Sequence, residues 1–163
     1  MAPNTRKCSN TETSRRPTGP TGLTGEITTM SQEQNSQKRR VLLVDDDKII
    51  RLKATKMLEQ CGCEVSTAEN GWDAVTQLDD CKPDLILLDI TMEPLDGFKT
   101  LTLIRASKGD FKDTPVVMLS SHDDVFTMGK SKDRGCSAYL EKPLDMEALK
   151  AVLKEFLSIQ VAV

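Results

Sequence analysis

From Arg40 onward, short runs of aliphatic residues alternate with stretches in which apolar positions recur every three to four residues. An unbroken aliphatic run suits a strand covered on both faces, and the three-to-four spacing suits a helix lying on a sheet. Residues 41–44 form the first wholly apolar run. Ile50, Ala54, Met57, Leu58 and Cys61 then share one helical face, which Gly62 is placed to end. Residues 64–68 read as a second strand and Asn70-Gly71 as a turn; residues 72–78 read as a short helix buried through Trp72, Val75 and Leu78. Lys82-Pro83-Asp84 breaks the pattern before a third strand at 85–88, and Phe98, Leu101 and Ile104 mark the helix behind it. A fourth strand follows at 115–119. Between Val125 and Arg134 the apolar stripe is poor, broken by Gly129 and by Lys130 and Lys132, so this helix is expected to pack loosely. Residues 138–140 read as a fifth strand, and Leu149, Val152, Leu153, Phe156 and Leu157 give the last helix the cleanest period in the chain. The repeated alternation predicts an α/β class: a doubly wound, five-stranded parallel sheet built from five βα units.

Residues 1–37 behave differently. Thr, Ser, Pro, Gly, Asn and Gln dominate, with Leu23 and Ile27 as the only large branched aliphatics, so this stretch is expected to be a disordered tail ahead of a domain at 38–163. One reading makes it a tether; the simpler one starts translation at Met30. The tail has a net charge of +1, from Arg6, Lys7, Arg15 and Arg16 against Glu12, Glu26 and Glu33, which leaves 18 basic and 22 acidic residues for the domain. Whole-chain charge of -3 offers no pull on nucleic acid or anionic lipid. No apolar stretch approaches the roughly 20 residues that span a bilayer, and no apolar segment of signal-peptide type follows the first basic residues, so the expected location is the cytoplasm. Five cysteines without an export signal point to reduced thiols, and the single C-x-C at Cys61 and Cys63 falls short of a four-ligand zinc site. With aromatics at only 4% of residues, the core must be aliphatic.

The chemistry lies at the strand ends. Asp45, Asp46 and Asp47 follow the first strand, Asp89 the third, Ser120 the fourth and Lys142-Pro143 the fifth. Open doubly wound sheets bind ligands outside the carboxyl ends of their strands, near the point where the strand order reverses. Asp45, Asp46 and Asp89 are therefore expected to converge there. Two carboxylates 4 Å apart repel by about 4 kcal/mol at an effective dielectric of 20, so a cation or a basic side chain must offset them. Hard oxygen donors without His or Cys suit Mg²⁺, and Lys142 is placed to bring an ammonium to the same edge. Carboxylate, amine, hydroxyl and metal together form a site for phosphoryl transfer to Asp89. A single aspartate after a strand is accounted for by helix capping, and Asp47 fits that role. Four strand ends ordered toward one chemistry are not so easily accounted for.

The runs VLLVDDD, LILLDI with LDGF, PVVMLSS and YLEKP resemble the receiver domain of two-component response regulators, from Arg40 to about Leu157. The resemblance implies a flavodoxin-like (βα)5 receiver fold and a phosphoacceptor role for Asp89, supplied by a histidine kinase. It further implies Mg²⁺ held by Asp46, Asp89 and the Thr91 carbonyl, with Asp45 acting largely through water. Lys142 would pair with the phosphoryl group, and Ser120 with Tyr139 would form a switch pair read by an output protein through the 125–134 helix, the fifth strand and the last helix. The segments TPVVMLSSHDDVF and GCSAYLEKPLDMEAL are similar to stand-alone regulators of type IV pilus twitching motility and to chemotaxis-type receivers; another chemotaxis-like or phosphorelay pathway stays open. One departure is Met92-Glu93-Pro94, which moves the family's usual proline one place on and adds an acid near the metal loop. His122, the only histidine, reads as a solvated loop residue or as one that orients the water hydrolysing phospho-Asp89.

Two rival classes share parts of this pattern. A haloacid-dehalogenase-like phosphatase also uses a strand-end aspartate and Mg²⁺, but it needs a second aspartate two residues after the nucleophile and a cap for which this chain has little space. A flavin-binding module shares the topology, yet three aspartates in its phosphate loop would repel the cofactor.

Overall fold

The computed structural model describes residues 37–121 and 135–159. Elements run β1 (Arg40–Val44), α1 (Lys48–Gln60), β2 (Glu64–Ala68), α2 (Gly71–Cys81), β3 (Leu85–Asp89), α3 (Gly97–Ala106), β4 (Val116–Ser120), β5 (Ala138–Glu141) and α4 (Met146–Leu157). All strand pairs are parallel, in the order β2-β1-β3-β4-β5. The order reverses between β1 and β3, so the acids after those two strands become neighbours. The tail and the proposed helix at 125–134, with His122, lie outside the described residues.

The aliphatic runs sit where both faces are covered. Every residue of β3 and β4 is buried, and so are Val41 to Val44 of β1. Alternate residues feed two cores. Val41, Leu43, Leu85, Leu87, Val117 and Leu119 pack against α1 and α4, whereas Leu42, Val44, Ile86, Leu88 and Met118 pack against α2 and α3. Each fully buried Leu or Ile contributes about 1.5–3 kcal/mol, so the central strands are the most stable part of the domain. Edge strands β2 and β5 are only partly covered. Short polar side chains cap each helix. Asp47 accepts from the Ile49 and Ile50 amides at 2.8 and 3.2 Å, as expected for it, and Asn70, Asp96 and Asp145 cap α2, α3 and α4. Cys61 and Cys63 are buried and Cys81 and Cys136 half-buried, with no disulfide among these four described cysteines.

The short helix read at 72–78 is longer and turned differently from its expectation. It begins at Gly71, and Trp72 is 57% exposed instead of buried. The cause is close packing on α3: a Cβ at Gly71 would overlap the Thr100 hydroxyl and lie 2.7 Å from Leu95 Cδ2. Gly71, Ala74 and Leu78 therefore form the inner face, and Trp72, about 100° further round, faces outward.

Gly97 makes a second close approach, directly behind Asp89. Its amide donates to the Ile90 carbonyl at 2.8 Å, and a Cβ there would overlap the Asp89 carbonyl and sit 2.8 Å from Ile90 Cα. These are backbone atoms in a buried turn, so they cannot yield as a side chain would. Gly97→Ala is expected to lower stability by about 1–3 kcal/mol in urea unfolding. A loss under about 0.5 kcal/mol, within the range of an ordinary surface change, would show that the turn relaxes freely.

Candidate functional site

Because all strands are parallel, their carboxyl ends lie along one rim. Asp45 leaves β1 with its amide still bonded to the Ala68 carbonyl at 3.2 Å, and the Ile90 amide after β3 reaches the Leu119 carbonyl at 3.1 Å. Lys142 leaves β5 with its amide 2.7 Å from the Ser120 carbonyl. The sheet's hydrogen bonding thus extends past the strands and holds the backbone beneath each functional side chain.

The side chains meet there. Ligand atoms of Asp45, Asp46 and Asp89 lie within 4.8 Å of one another. Lys142 Nζ stands 2.8 Å from Asp45 Oδ2 and 3.0 Å from Asp89 Oδ1. Asp45 Oδ1 accepts from the Asp47 amide at 2.9 Å, and Asp89 Oδ1 also accepts from the Thr91 amide at 3.2 Å. Asp45 and Asp89 are buried, at 0% and 4% exposure, whereas Asp46 is exposed. The rim therefore offers two buried oxygen donors and one open to solvent. Three carboxylates against one ammonium leave two negative charges, the complement of a divalent cation, and an all-oxygen donor set fits Mg²⁺.

Burial, and then the charge of Asp45, raise the Asp89 carboxyl to about 6; hydrogen bonds from Lys142 and Thr91 oppose this without cancelling it. For Lys142, burial pulls the other way, but its hydrogen bonds to Asp45 and Asp89 outweigh it and raise its pKa overall. Lys142 is thus a fixed positive charge at neutral pH, and the acid it serves is held by a site that does not welcome its ionised form.

Ser120 is buried at the end of β4, and its hydroxyl donates to the Leu140 carbonyl at 3.4 Å. Tyr139 pairs with Met118, and Ser120 follows Met118 by two residues, so the Tyr139 and Ser120 side chains share one face of the sheet. The phenol lies 3.3 Å from Cys136 Sγ; burial and then this contact raise its pKa. Glu93 is exposed and stands outside the carboxylate group, so the acid expected near the metal loop does not join the cluster.

Sequence reading passed over Arg51. Its side chain is 11% exposed, and it donates to the Asp45 carbonyl at 2.6 Å and to Glu69 Oε1 at 3.0 Å. The available signal was a cation six residues after Asp45, in the second turn of the capped helix.

A doubly wound sheet whose switch point gathers two buried carboxylates, an exposed one and a bridging lysine defines a small α/β domain with an acidic, cation-ready rim. The chain belongs to the response regulator receiver domain family, whose model matches residues 41–154. This assignment displaces the phosphatase and flavin-binding readings. Protein PilG of Pseudomonas aeruginosa is 42% identical over 122 residues, covering 75% of this chain and 90% of PilG. Chemotaxis protein CheY4 of Vibrio cholerae is similar in structure with a TM-score of 0.68 at 29% identity, covering 73% of this chain and 98% of CheY4. The receiver domain of the sensor histidine kinase PA1611 from Pseudomonas aeruginosa was solved with a magnesium ion coordinated in its active-site cleft. It has a TM-score of 0.68 at 25% identity, covering 74% of this chain and 98% of that domain. The chain spans about half the length of the mycobacterial regulators it also matches. No helix among the described residues is long and apolar enough to cross a membrane.

Proposed function

We propose that Asp89 accepts a phosphoryl group from a histidine kinase and that the chain signals through protein–protein contacts. Lys142 carries this reading, because one ammonium lies 2.8 Å from Asp45 and 3.0 Å from Asp89. A structural ion pair needs only one carboxylate. A cation shared by two, with a third acid beside them, keeps a nucleophilic carboxylate next to a charge that can receive phosphoryl oxygens.

In the transfer, an Asp89 oxygen attacks the phosphorus of the donor's phosphohistidine. The phosphorus–nitrogen bond breaks, and its electron pair returns to the imidazole. Lys142 donates to a phosphoryl oxygen, and Ser120 turns from the Leu140 carbonyl toward another. Mg²⁺, held by Asp46, Asp89 and the Thr91 carbonyl, with Asp45 through water, would supply the charge that shields incoming phosphate from the acids. Phosphorylation replaces the single carboxylate charge of Asp89 with about -1.5 to -2 charges spread over the phosphoryl oxygens, and Tyr139, on the face it shares with Ser120, turns inward as the hydroxyl moves. The output surface comprises β5 and α4.

Intact mass spectrometry after treatment with acetyl phosphate and Mg²⁺ tests the reading. The chain is expected to gain one phosphoryl group, and EDTA is expected to suppress the gain; an equal gain in EDTA counts against the metal's part, and no gain counts against the whole. Similarity to PilG supports a place among chemotaxis-type regulators of type IV pilus twitching motility, working in the cytoplasm. A deletion strain is then expected to lose twitching and to regain it from the wild-type gene. Undiminished twitching would assign the chain to another chemotaxis-like or phosphorelay pathway.

A further inference from the structure

We infer that Cys136 is the positioning residue for the switch aromatic: its thiol holds the Tyr139 phenol in the orientation of the unphosphorylated chain, against the turn toward Ser120. This rests on the proposed roles of Asp89 and Tyr139. The Cys136 thiol and the Tyr139 hydroxyl share a hydrogen bond at 3.3 Å, and both side chains sit at the margin of the core beneath α2 and α3.

The backbone on either side of the thiol is anchored independently of the ring. Arg105, in the last turn of α3, donates to the Gly135 carbonyl from Nε at 3.2 Å and from Nη2 at 2.8 Å. Its Nη1 donates to the Phe111 and Thr114 carbonyls at 3.0 and 2.6 Å. On the other side, Ser137 is bonded twice to Val116 of β4: its amide donates to the Val116 carbonyl at 2.8 Å, and its hydroxyl accepts from the Val116 amide at 3.2 Å. The backbone at Cys136 is therefore held between two tied neighbours. The tyrosine ring beside it is only half-buried, on an edge strand, and turns about its own side-chain bonds. A thiol–hydroxyl hydrogen bond is weak, so it biases the ring without locking it, and the movement of Ser120, which shares the ring's sheet face, can overcome it once Asp89 is phosphorylated. Losing such a bond is expected to shift the ring's equilibrium about two- to fivefold.

Tyr139 is the only tyrosine in the chain, so growth with 3-fluorotyrosine places one ¹⁹F label on the switch. Spectra of wild type, Cys136→Ala and Cys136→Ser are compared before and after acetyl phosphate with Mg²⁺, with mass spectrometry reporting the phosphorylated fraction at limiting donor. Without donor, the Cys136→Ala resonance is expected to move toward the position of the phosphorylated wild type, and the phosphorylated fraction at limiting donor to rise about two- to fivefold by linkage. Cys136→Ser, which keeps a donor, should match wild type in both. A Cys136→Ala resonance that stays at the wild-type position, or one that moves while the fraction does not, overturns the inference and leaves Asp89 phosphorylation standing. A wild-type resonance unmoved by a phosphoryl gain overturns the switch role of Tyr139 and the inference with it. Failure of the wild type to gain a phosphoryl group marks failure of the underlying reading instead.

Discussion

Asp89→Asn is expected to abolish phosphorylation by acetyl phosphate and, in metal-free buffer at neutral pH, to make the protein more stable than wild type. The first effect follows from removing the nucleophile. The second follows from the raised carboxyl: at about 6 in the fold, against roughly 3.9 in an unfolded chain, ionised Asp89 opposes folding. Stability linked to its proton is complete below pH about 4 and is lost as pH rises through about 6, so at neutral pH the metal-free wild type carries the full penalty. Two pH units correspond to a ceiling of about 3 kcal/mol, and the amide should recover about 1–3 kcal/mol of it. Urea unfolding in EDTA should show the gap between variant and wild type closing as pH falls from about 6 to about 4. Added Mg²⁺ should stabilise the wild type more than the variant, since only a ligand that binds the folded state raises its stability. An Asp89→Asn protein that is less stable than wild type in EDTA at neutral pH would mean that the Lys142 pairing outweighs burial of the charge.

Lys142→Met carries the largest expected loss of stability. The ammonium is 16% exposed and contacts two carboxylates that are more deeply buried than itself. Methionine fills much of the same space without charge, leaving Asp45 and Asp89 to repel each other. Removing one partner of a buried ion pair typically costs about 3–5 kcal/mol, because the remaining charge is left uncompensated. The loss should be largest in EDTA and should shrink with Mg²⁺, which offsets the same charges. Combining Lys142→Met with Asp89→Asn should cost less than the sum of the single changes, since the double variant keeps one buried carboxylate instead of two. A loss below about 1 kcal/mol in EDTA, the value of an exposed pair, would show that solvent already screens the acids.

These two variants also separate the legible from the illegible in this chain. The strands were readable because a sheet buried on both faces leaves unbroken aliphatic runs, as at Leu85–Asp89 and Val116–Ser120, and their bounds differ from the sequence reading by a residue. Asp47 was readable as a cap because its partners are two and three residues away. The meeting of Asp45, Asp46, Asp89 and Lys142 was readable as a shared rim, since parallel strands put all their carboxyl ends on one side. Trp72 was misread because three-to-four spacing does not say which of two adjacent helix faces turns inward. That was settled by the close approach of Gly71 to Thr100 and Leu95, more than twenty residues away in the chain.

Order along the chain, then, specifies strand runs, caps and which acids stand at which strand ends, because these depend on near neighbours and on the period of the backbone. Folding decides that one lysine reaches two acids, that Asp89 titrates near 6, that Arg51 grips the Asp45 carbonyl and that Cys136 meets the Tyr139 phenol. Each of these depends on side-chain direction, burial and strand register among elements that only the assembled sheet brings within a few ångströms.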